Sequence, residues 1–180
     1  MLKKLLARWK PAHPASAKLY GAIVAAARQE TLYRDWGVPD TAMGRFEMVA
    51  LHVAVMQRRL KELGPEGEEL ARTLGEDFIT DMDDCMREIG VGDLTVPKKI
   101  KIAAAALFDR YNDYGAALTA NDVAQLTGAI DTHVSGSAKP TALAAGRLAS
   151  YVIAFDGALR GIDRTRVLGG DIGLPVEAGQ

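Results

Sequence analysis

Val49-Ala-Leu-His-Val-Ala-Val-Met-Gln-Arg-Arg-Leu-Lys-Glu-Leu-Gly-Pro65 sets the terms on which the rest of the chain is read. Val49, Val53, Met56, Leu60 and Leu63 recur at the three–four spacing of one helix face. Asp40 or Thr41 can cap this helix, and Gly64-Pro65 ends it while opening the next at its first turn. The second helix is expected over about 66–89. Leu70, Leu74, Phe78, Met82, Cys85 or Met86, and Ile89 form its inner face, and its acids lie mostly outward. Gly90-Val-Gly-Asp-Leu-Thr-Val-Pro97 then interrupts the pattern, because two glycines and a proline sit poorly inside a helix.

A third long helix is expected from about Lys98 to Leu118, with Ile100, Ala104, Leu107, Tyr111, Tyr114 and Leu118 in register. Asn121-Asp122 reads as the cap of a short helix ending near His133. Ser135-Gly-Ser137 is a loop, and Pro140 suits the first turn of a last helix to about Arg160. Leu148, Tyr151 or Val152, Phe155 and Leu159 are its buried stripe. Toward the N-terminus one helix is expected from Ser16 to about Arg34. Alanine is abundant, no β-branched run alternates with polar residues, and hairpin signals are missing. The expectation is therefore an all-α protein: a single bundle of about six helices over residues 15–160, without internal repeats. A basic N-terminal arm over 1–14 precedes it. A Gly-rich, flexible C-terminal tail over 161–180 follows, mobile or lying flat on the bundle.

With 180 residues, 48% apolar and 25% charged, the chain has the composition of an ordinary globular domain. Its net charge of −1 gives no global electrostatic case for nucleic acid, and DNA is not expected as a partner. That balance hides a polarised distribution. Residues 1–29 carry six basic side chains and no acid, while residues 66–94 carry ten acids against Arg72 and Arg87. The single cysteine, Cys85, leaves no internal disulfide framework and fits a reducing compartment. The apolar windows are too short to span a bilayer, and Met1–Lys10 has basic residues without the apolar core of a secretory signal. A soluble, cytoplasmic protein is the expectation.

Few constellations point to catalysis. Asp77, Asp81, Asp84 and Glu88 share one helix face and could hold a hard cation, yet the Glu-x-x-His pairs of di-metal bundles are missing; a solvated acidic face is the plainer reading. His52 lies between Met48 and Met56 in an apolar helix, where a satisfied core histidine is expected in preference to a catalytic one. Gly90-Val-Gly92 lacks the third glycine of a dinucleotide loop, and no P-loop ending occurs. No catalytic residue, cofactor or metal ligand is assigned. Leu94 and Val96 either plug the core or face outward, with plugging favoured. In the arm, Lys3, Lys4, Arg8, Trp9 and Lys10 could rest a short basic helix on an anionic bilayer or on ribosomal RNA. A frayed, solvated terminus is the other reading, since Pro11 and Pro14 cut any helix short.

Several strings are more specific. Tyr33-Arg-Asp-Trp36 with Val38-Pro39, then Arg45-Phe-Glu-Met48 with Leu51-His52, resemble the ubiquinol–cytochrome c chaperone family. The likeness continues through Phe78, Asp81-Met-Asp83 and Arg87-Glu-Ile-Gly-Val-Gly-Asp-Leu94 to Val96-Pro-Lys98 and Ile100, over about residues 20–155. The resemblance implies an all-helical, non-enzymatic assembly factor of the respiratory cytochrome bc1 complex, a chaperone of newly made cytochrome b. In mitochondria such proteins work with a small helper protein near the ribosomal tunnel exit. The compact chain looks like a bacterial member, placed in the cytoplasm or at the inner face of the cytoplasmic membrane.

A factor that holds a membrane-protein client needs an exposed apolar groove. Met43, Met48, Met56, Met82 and Met86 are candidates for a pliable lining, with core filling as the alternative. The motif match marks Arg45, Glu47, Asp81, Asp83, Arg87, Glu88, Asp93, Leu94 and Lys98 as partner-binding candidates; Arg45, Glu47, Asp81, Asp83, Arg87, Glu88 and Asp93 are expected as a salt-bridge cluster that fixes the Gly90–Pro97 loop and borders a partner surface. The rival reading is a helical lipid- or quinone-binding protein, or a small enzyme, with an internal apolar pocket. A closed cavity with His52 or a tyrosine pointing into it would favour that rival; an open groove beside the motif loop would favour the chaperone.

Overall fold

The computed structural model describes residues 13–88, 95–135 and 144–173. They form α1 (Pro14–Ala27), α2 (Glu30–Arg34), α3 (Ala42–Lys61), α4 (Pro65–Glu88), α5 (Val96–Ala120), α6 (Val123–Ile130), α7 (Ala145–Gly161) and α8 (Arg164–Leu168). A π-helical turn, Asp131–Ser135, extends α6. No strand occurs among the described residues. The protein is an all-helical bundle, as the periodicity implies.

The stretch around Val49 is the axis of the molecule. Every residue from Glu47 to Met56 is buried, so α3 is enclosed on all sides and not only along the expected stripe. Helices α1, α4, α5 and α7 pack against it. Thr41 caps α3 through its side-chain oxygen, which accepts from the Gly44 amide at 3.1 Å. At the far end Gly64 takes φ of +84°, a conformation that favours glycine. A Cβ on Gly67 would strike the Leu60 carbonyl, so this glycine lets α4 turn back tightly against α3.

The single N-terminal helix expected over 16–34 is instead two. Helix α1 stops at Ala27 and Gln29 is extended, with ψ of 128°. Two short-range bonds close the break: the Tyr33 hydroxyl donates to the Ala27 carbonyl at 2.7 Å, and the Gln29 side-chain amide donates to the Ala26 carbonyl at 3.1 Å. These bonds satisfy carbonyls that a helix end leaves open, so the break is supported by folding back. Asn121 closes α5 in the left-handed region, at φ of 54°, and Asp122 caps α6 by accepting from the Gln125 amide at 2.9 Å. Both roles match the expected cap. The last long helix begins at Ala145, where the Ala144 amide donates to Trp36 at 2.9 Å; Pro140, its expected start, lies outside the described residues.

Beyond Gly161 the chain through Gly173 lies flat on the bundle, one of the two expectations for the tail. Val167 and Ile172 are buried, and Arg164 pairs with Glu66 of α4 at 2.7 Å. Gly170 sits so close to Ala15 that a Cβ would collide with its backbone. No described helix is long and apolar enough to cross a membrane.

Candidate partner-binding surface

Helix α5 is half core and half surface. Val96, Ala103, Leu107, Tyr114 and Ala117 are buried, and the last three join the core built around α3. Arg110 anchors the helix: its guanidinium donates to both carboxylate oxygens of Glu47 on α3, at 2.9 and 2.6 Å. Burial opposes the charge on Arg110, but the Glu47 hydrogen bonds and field outweigh it and hold the pKa above its ordinary value. Sequence reasoning selected Glu47 without seeing this partner, because 63 residues separate the two.

The outward half of α5 carries the most exposed large apolar side chains among the described residues. Phe108 is 64% exposed and Ile102 60%, and Met43 on α3 follows at 49%. The expected register put Ile100, Ala104, Leu107 and Tyr111 inside; Leu107 is buried, while Ala104 is exposed and Ala103 takes an inner place. Ile102 and Phe108 fall between the expected core positions. An aromatic out of step with its own helix's stripe is the signal that could have revealed this face. Further along, an open groove of about 620 Å³ runs between α3 and α5, past Lys61, Tyr111, Gly115 and Thr119. The Lys61 ammonium lies 4.1 Å from the Tyr111 ring centroid. Arg58 at its edge is held by Asp156 at 2.9 Å and Thr119 at 3.3 Å.

The expected cluster around the motif loop does not assemble as one unit. Arg45 pairs with Asp40 on the surface at 2.7 Å. Glu47 is 2% exposed and serves as the buried strut just described. Asp81 accepts from the Tyr20 hydroxyl at 2.8 Å, and Asp83 pairs with Arg87 one turn on at 2.6 Å. Glu88 and Lys98 are exposed. Asp93 and Leu94, like Lys3, Lys4, Arg8, Trp9 and Lys10 of the arm, lie outside the described residues. Val96 is fully buried and does not face outward. The reading of α4's acids as a solvated face needs correction at two positions. Asp77 is 4% exposed and accepts from the Ser16 hydroxyl of α1, and Asp81 is turned the same way. Burial raises both carboxyl pKa values, and the hydroxyl donors only partly counter it. Among the described residues no group of three His, Cys, Asp or Glu side chains is placed to hold a metal.

Met48 and Met56 are core filler, Met82 and Met86 are half-buried, and only Met43 is well exposed. His52 is a satisfied core histidine. The Met48 carbonyl, 2.7 Å from Nδ1, can only accept, so Nδ1 carries the proton and Nε2 accepts from the Tyr151 hydroxyl at 2.8 Å. Gln29 donates in turn to the same hydroxyl at 3.2 Å. Burial lowers the His52 pKa to about 4, which keeps the ring neutral. Neither nitrogen is left to meet an internal ligand. The open groove exists, but at the far end of α5 from the motif loop.

An enclosed axial helix, clamped by a buried ion pair to a helix that shows apolar groups outward, defines a scaffold that presents a surface. The family described as ubiquinol–cytochrome c chaperone matches residues 34–174. The crystal structure of the Cbp3 homolog from Brucella abortus superposes with a TM-score of 0.80, at 36% identity over 96% of both chains. None of the curated proteins matches the chain. The chain belongs to the ubiquinol–cytochrome c chaperone family, among its bacterial members, and its role is that of a chaperone in assembly of the cytochrome bc1 complex.

Proposed function

We propose that this protein binds cytochrome b, newly made or newly inserted, and holds it until it joins the bc1 complex. The action is binding without turnover. The observation that carries the proposal is the outer face of α5, where Ile102 and Phe108 stand exposed on a rigid scaffold in a chain of this family. Exposed apolar groups grouped on one face of a soluble bundle commonly mark a partner site. Lys98 is an exposed residue of α5 and Glu47 supports the helix from within; Arg45, Asp81, Asp83, Arg87, Glu88, Asp93 and Leu94 complete the proposed set of partner contacts. Residues 15–160 form the working domain. The basic arm of residues 1–14 brings it to the cytoplasmic membrane surface or the ribosome, with or without a helper protein.

The test is a crosslinked pull-down from respiring cells, with a photo-crosslinker placed at Ala105 or Phe108, read by mass spectrometry and RNA sequencing. Recovery of cytochrome b from the α5 positions, and its loss with Phe108→Asp, is the expected result. Recovery of no bc1 component, with normal cytochrome b levels in a deletion strain, sinks the proposal.

A further inference from the structure

Helix α4 runs on past its own core contacts. Phe78 is its last buried residue, yet the helix continues for ten more, through Glu88. Over that stretch an apolar strip persists: Ile79 and Met82 pack partly on the core, and Cys85 and Met86 are half-buried. Asp81, Asp83, Asp84 and Glu88 stand around the strip with one base, Arg87, among them. Arg87 pairs with Asp83, and neither Asp84 nor Glu88 has a cationic partner among the described residues. A helix C-terminus carries partial negative charge, so acids there are unfavourable without cations beside them. The occupant that suits this end of α4 is a chain that brings several cations together with apolar side chains.

The N-terminal arm has that chemistry and joins the bundle beside this helix. Residues 1–12 hold Lys3, Lys4, Arg8 and Lys10 and no acid. Leu2, Leu5, Leu6 and Trp9 recur among them at the spacing of one helix face. The arm is attached through α1, which His13 caps. The Ser16 hydroxyl donates to Asp77 and the Tyr20 hydroxyl to Asp81, so α1 runs alongside α4 in the same direction. The arm therefore meets the bundle about one helical turn before the level of Asp77. Along α4, Asp84 lies about 10 Å beyond Asp77 and Glu88 about 17 Å, at about 1.5 Å per residue. Leu2 to Lys10 would cover about 14 Å as a helix and about 30 Å when extended. Pro11, at the base of the arm, suits a reversal of direction.

We propose that residues 1–12 dock on the C-terminal half of α4 of the same molecule, with their leucines and Trp9 on the Met82–Met86 strip and their cations against Asp84 and Glu88. Tethering favours this occupant over a free one, since a segment joined at His13 meets α4 at a millimolar effective concentration. The docked arm has its cations engaged, so an anionic surface must compete with α4 for them. That consequence rests on the arm being the element that meets the membrane or the ribosome; the docking itself does not.

The test is carbodiimide crosslinking of the full chain, which condenses an ammonium and a carboxylate in contact into an amide with loss of water. Equal parts of isotope-labelled and unlabelled protein are mixed first, and the products are read by mass spectrometry. The expected result is amides from Lys3, Lys4 or Lys10 to Asp84 or Glu88, in peptide pairs of a single isotope. They should fall by about fivefold or more in about 1 M salt, where charges are screened beyond about 3 Å. Mixed-isotope pairs would make a second copy the occupant. Those pairs, arm lysines joined no more often to α4 than to Glu30 or Asp109 on other faces, or no arm crosslinks at all, each overturn the proposal. Binding of the full chain to vesicles of phosphatidylglycerol and phosphatidylcholine separates the docking from its consequence. Asp84→Asn with Glu88→Gln should bind about fivefold tighter than Glu30→Gln with Asp109→Asn, which removes the same charge elsewhere. Circular dichroism checks that each variant keeps its helices. Single-isotope crosslinks with equal vesicle affinity of the two variants keep the docking and sink the membrane role of the arm.

Discussion

Glu47 on α3 and Asp77 on α4 are both buried carboxylates on long helices, but they meet different partners. Glu47 faces the guanidinium of Arg110 and receives two of its N–H groups. Asp77 faces α1, where its hydrogen-bond partner is the Ser16 hydroxyl; Tyr20 and Asp81 repeat the arrangement one turn along. In the α3–α5 seam charge is matched by charge. In the α1–α4 seam a neutral donor meets an acid whose pKa burial has raised. The first seam holds in place the helix that carries the proposed client surface, and losing one partner there would leave a buried charge unpaired. The second is adjustable, because its acids can take up a proton and still bond to the same hydroxyls.

Arg110→Ala probes the contrast most strongly. It leaves Glu47 charged and unpaired in the core, and should cost about 3–5 kcal/mol in urea unfolding. Replacing both partners with apolar residues, Glu47→Leu with Arg110→Met, should recover most of that loss. A double variant as unstable as Arg110→Ala would show that the pair does more than neutralise itself.

His52 sets the acid limb against which both seams are measured. Its pKa is about 4 when folded, against an ordinary value near 6.5, so the unfolded chain binds the extra proton between those values. Stability from this residue is present above pH 6.5 and lost as pH falls toward 4, by on the order of 3 kcal/mol. Asp77 and Asp81 act in the opposite sense: their raised folded pKa values favour the native state at low pH, an advantage that fades as pH rises. Between pH 4 and pH 7 the unfolding free energy of His52→Gln should therefore rise less with pH than that of the wild type. Parallel profiles would mean that His52 contributes no pH dependence.

Ser16→Ala should cost about 1–3 kcal/mol at pH 7, where Asp77 loses its donor while charged. The loss should shrink toward pH 4, as the carboxyl takes up its proton. The smallest effect is expected for Asp77→Asn, which keeps an acceptor for Ser16 and removes the buried charge. At pH 7 it should lie within about 1 kcal/mol of the wild type, on the stabilising side. A large destabilisation would show that Asp77 has a cationic partner in solution and would erase the contrast between the seams.

Much of the fold was legible from local pattern. The apolar spacing around α3, α4 and α7, the Gly64-Pro65 turn and the Asn121-Asp122 cap all report constraints between residues three or four apart. The motif strings likewise carried the family. The break between α1 and α2 was not legible, because it depends on Tyr33 folding back to the Ala27 carbonyl. Nor was the inward turn of Asp77 and Asp81: their spacing is that of an outward acidic face until α1 arrives with two hydroxyls. At the candidate site, Lys98 and the motif residues were visible as residue types, while Phe108 and Ile102 acquired meaning only when the neighbours of α5 were in place.

The sequence by itself determined that this chain is helical, where most helices cap and stop, and which family it belongs to, since periodicity, capping and motif are local properties. Tertiary structure alone decided which acids are buried, that Arg110 clamps α5 to α3, and which side of α5 stays open. Those outcomes depend on groups brought together from about 60 residues apart, and a helix has no inside or outside until others pack on it.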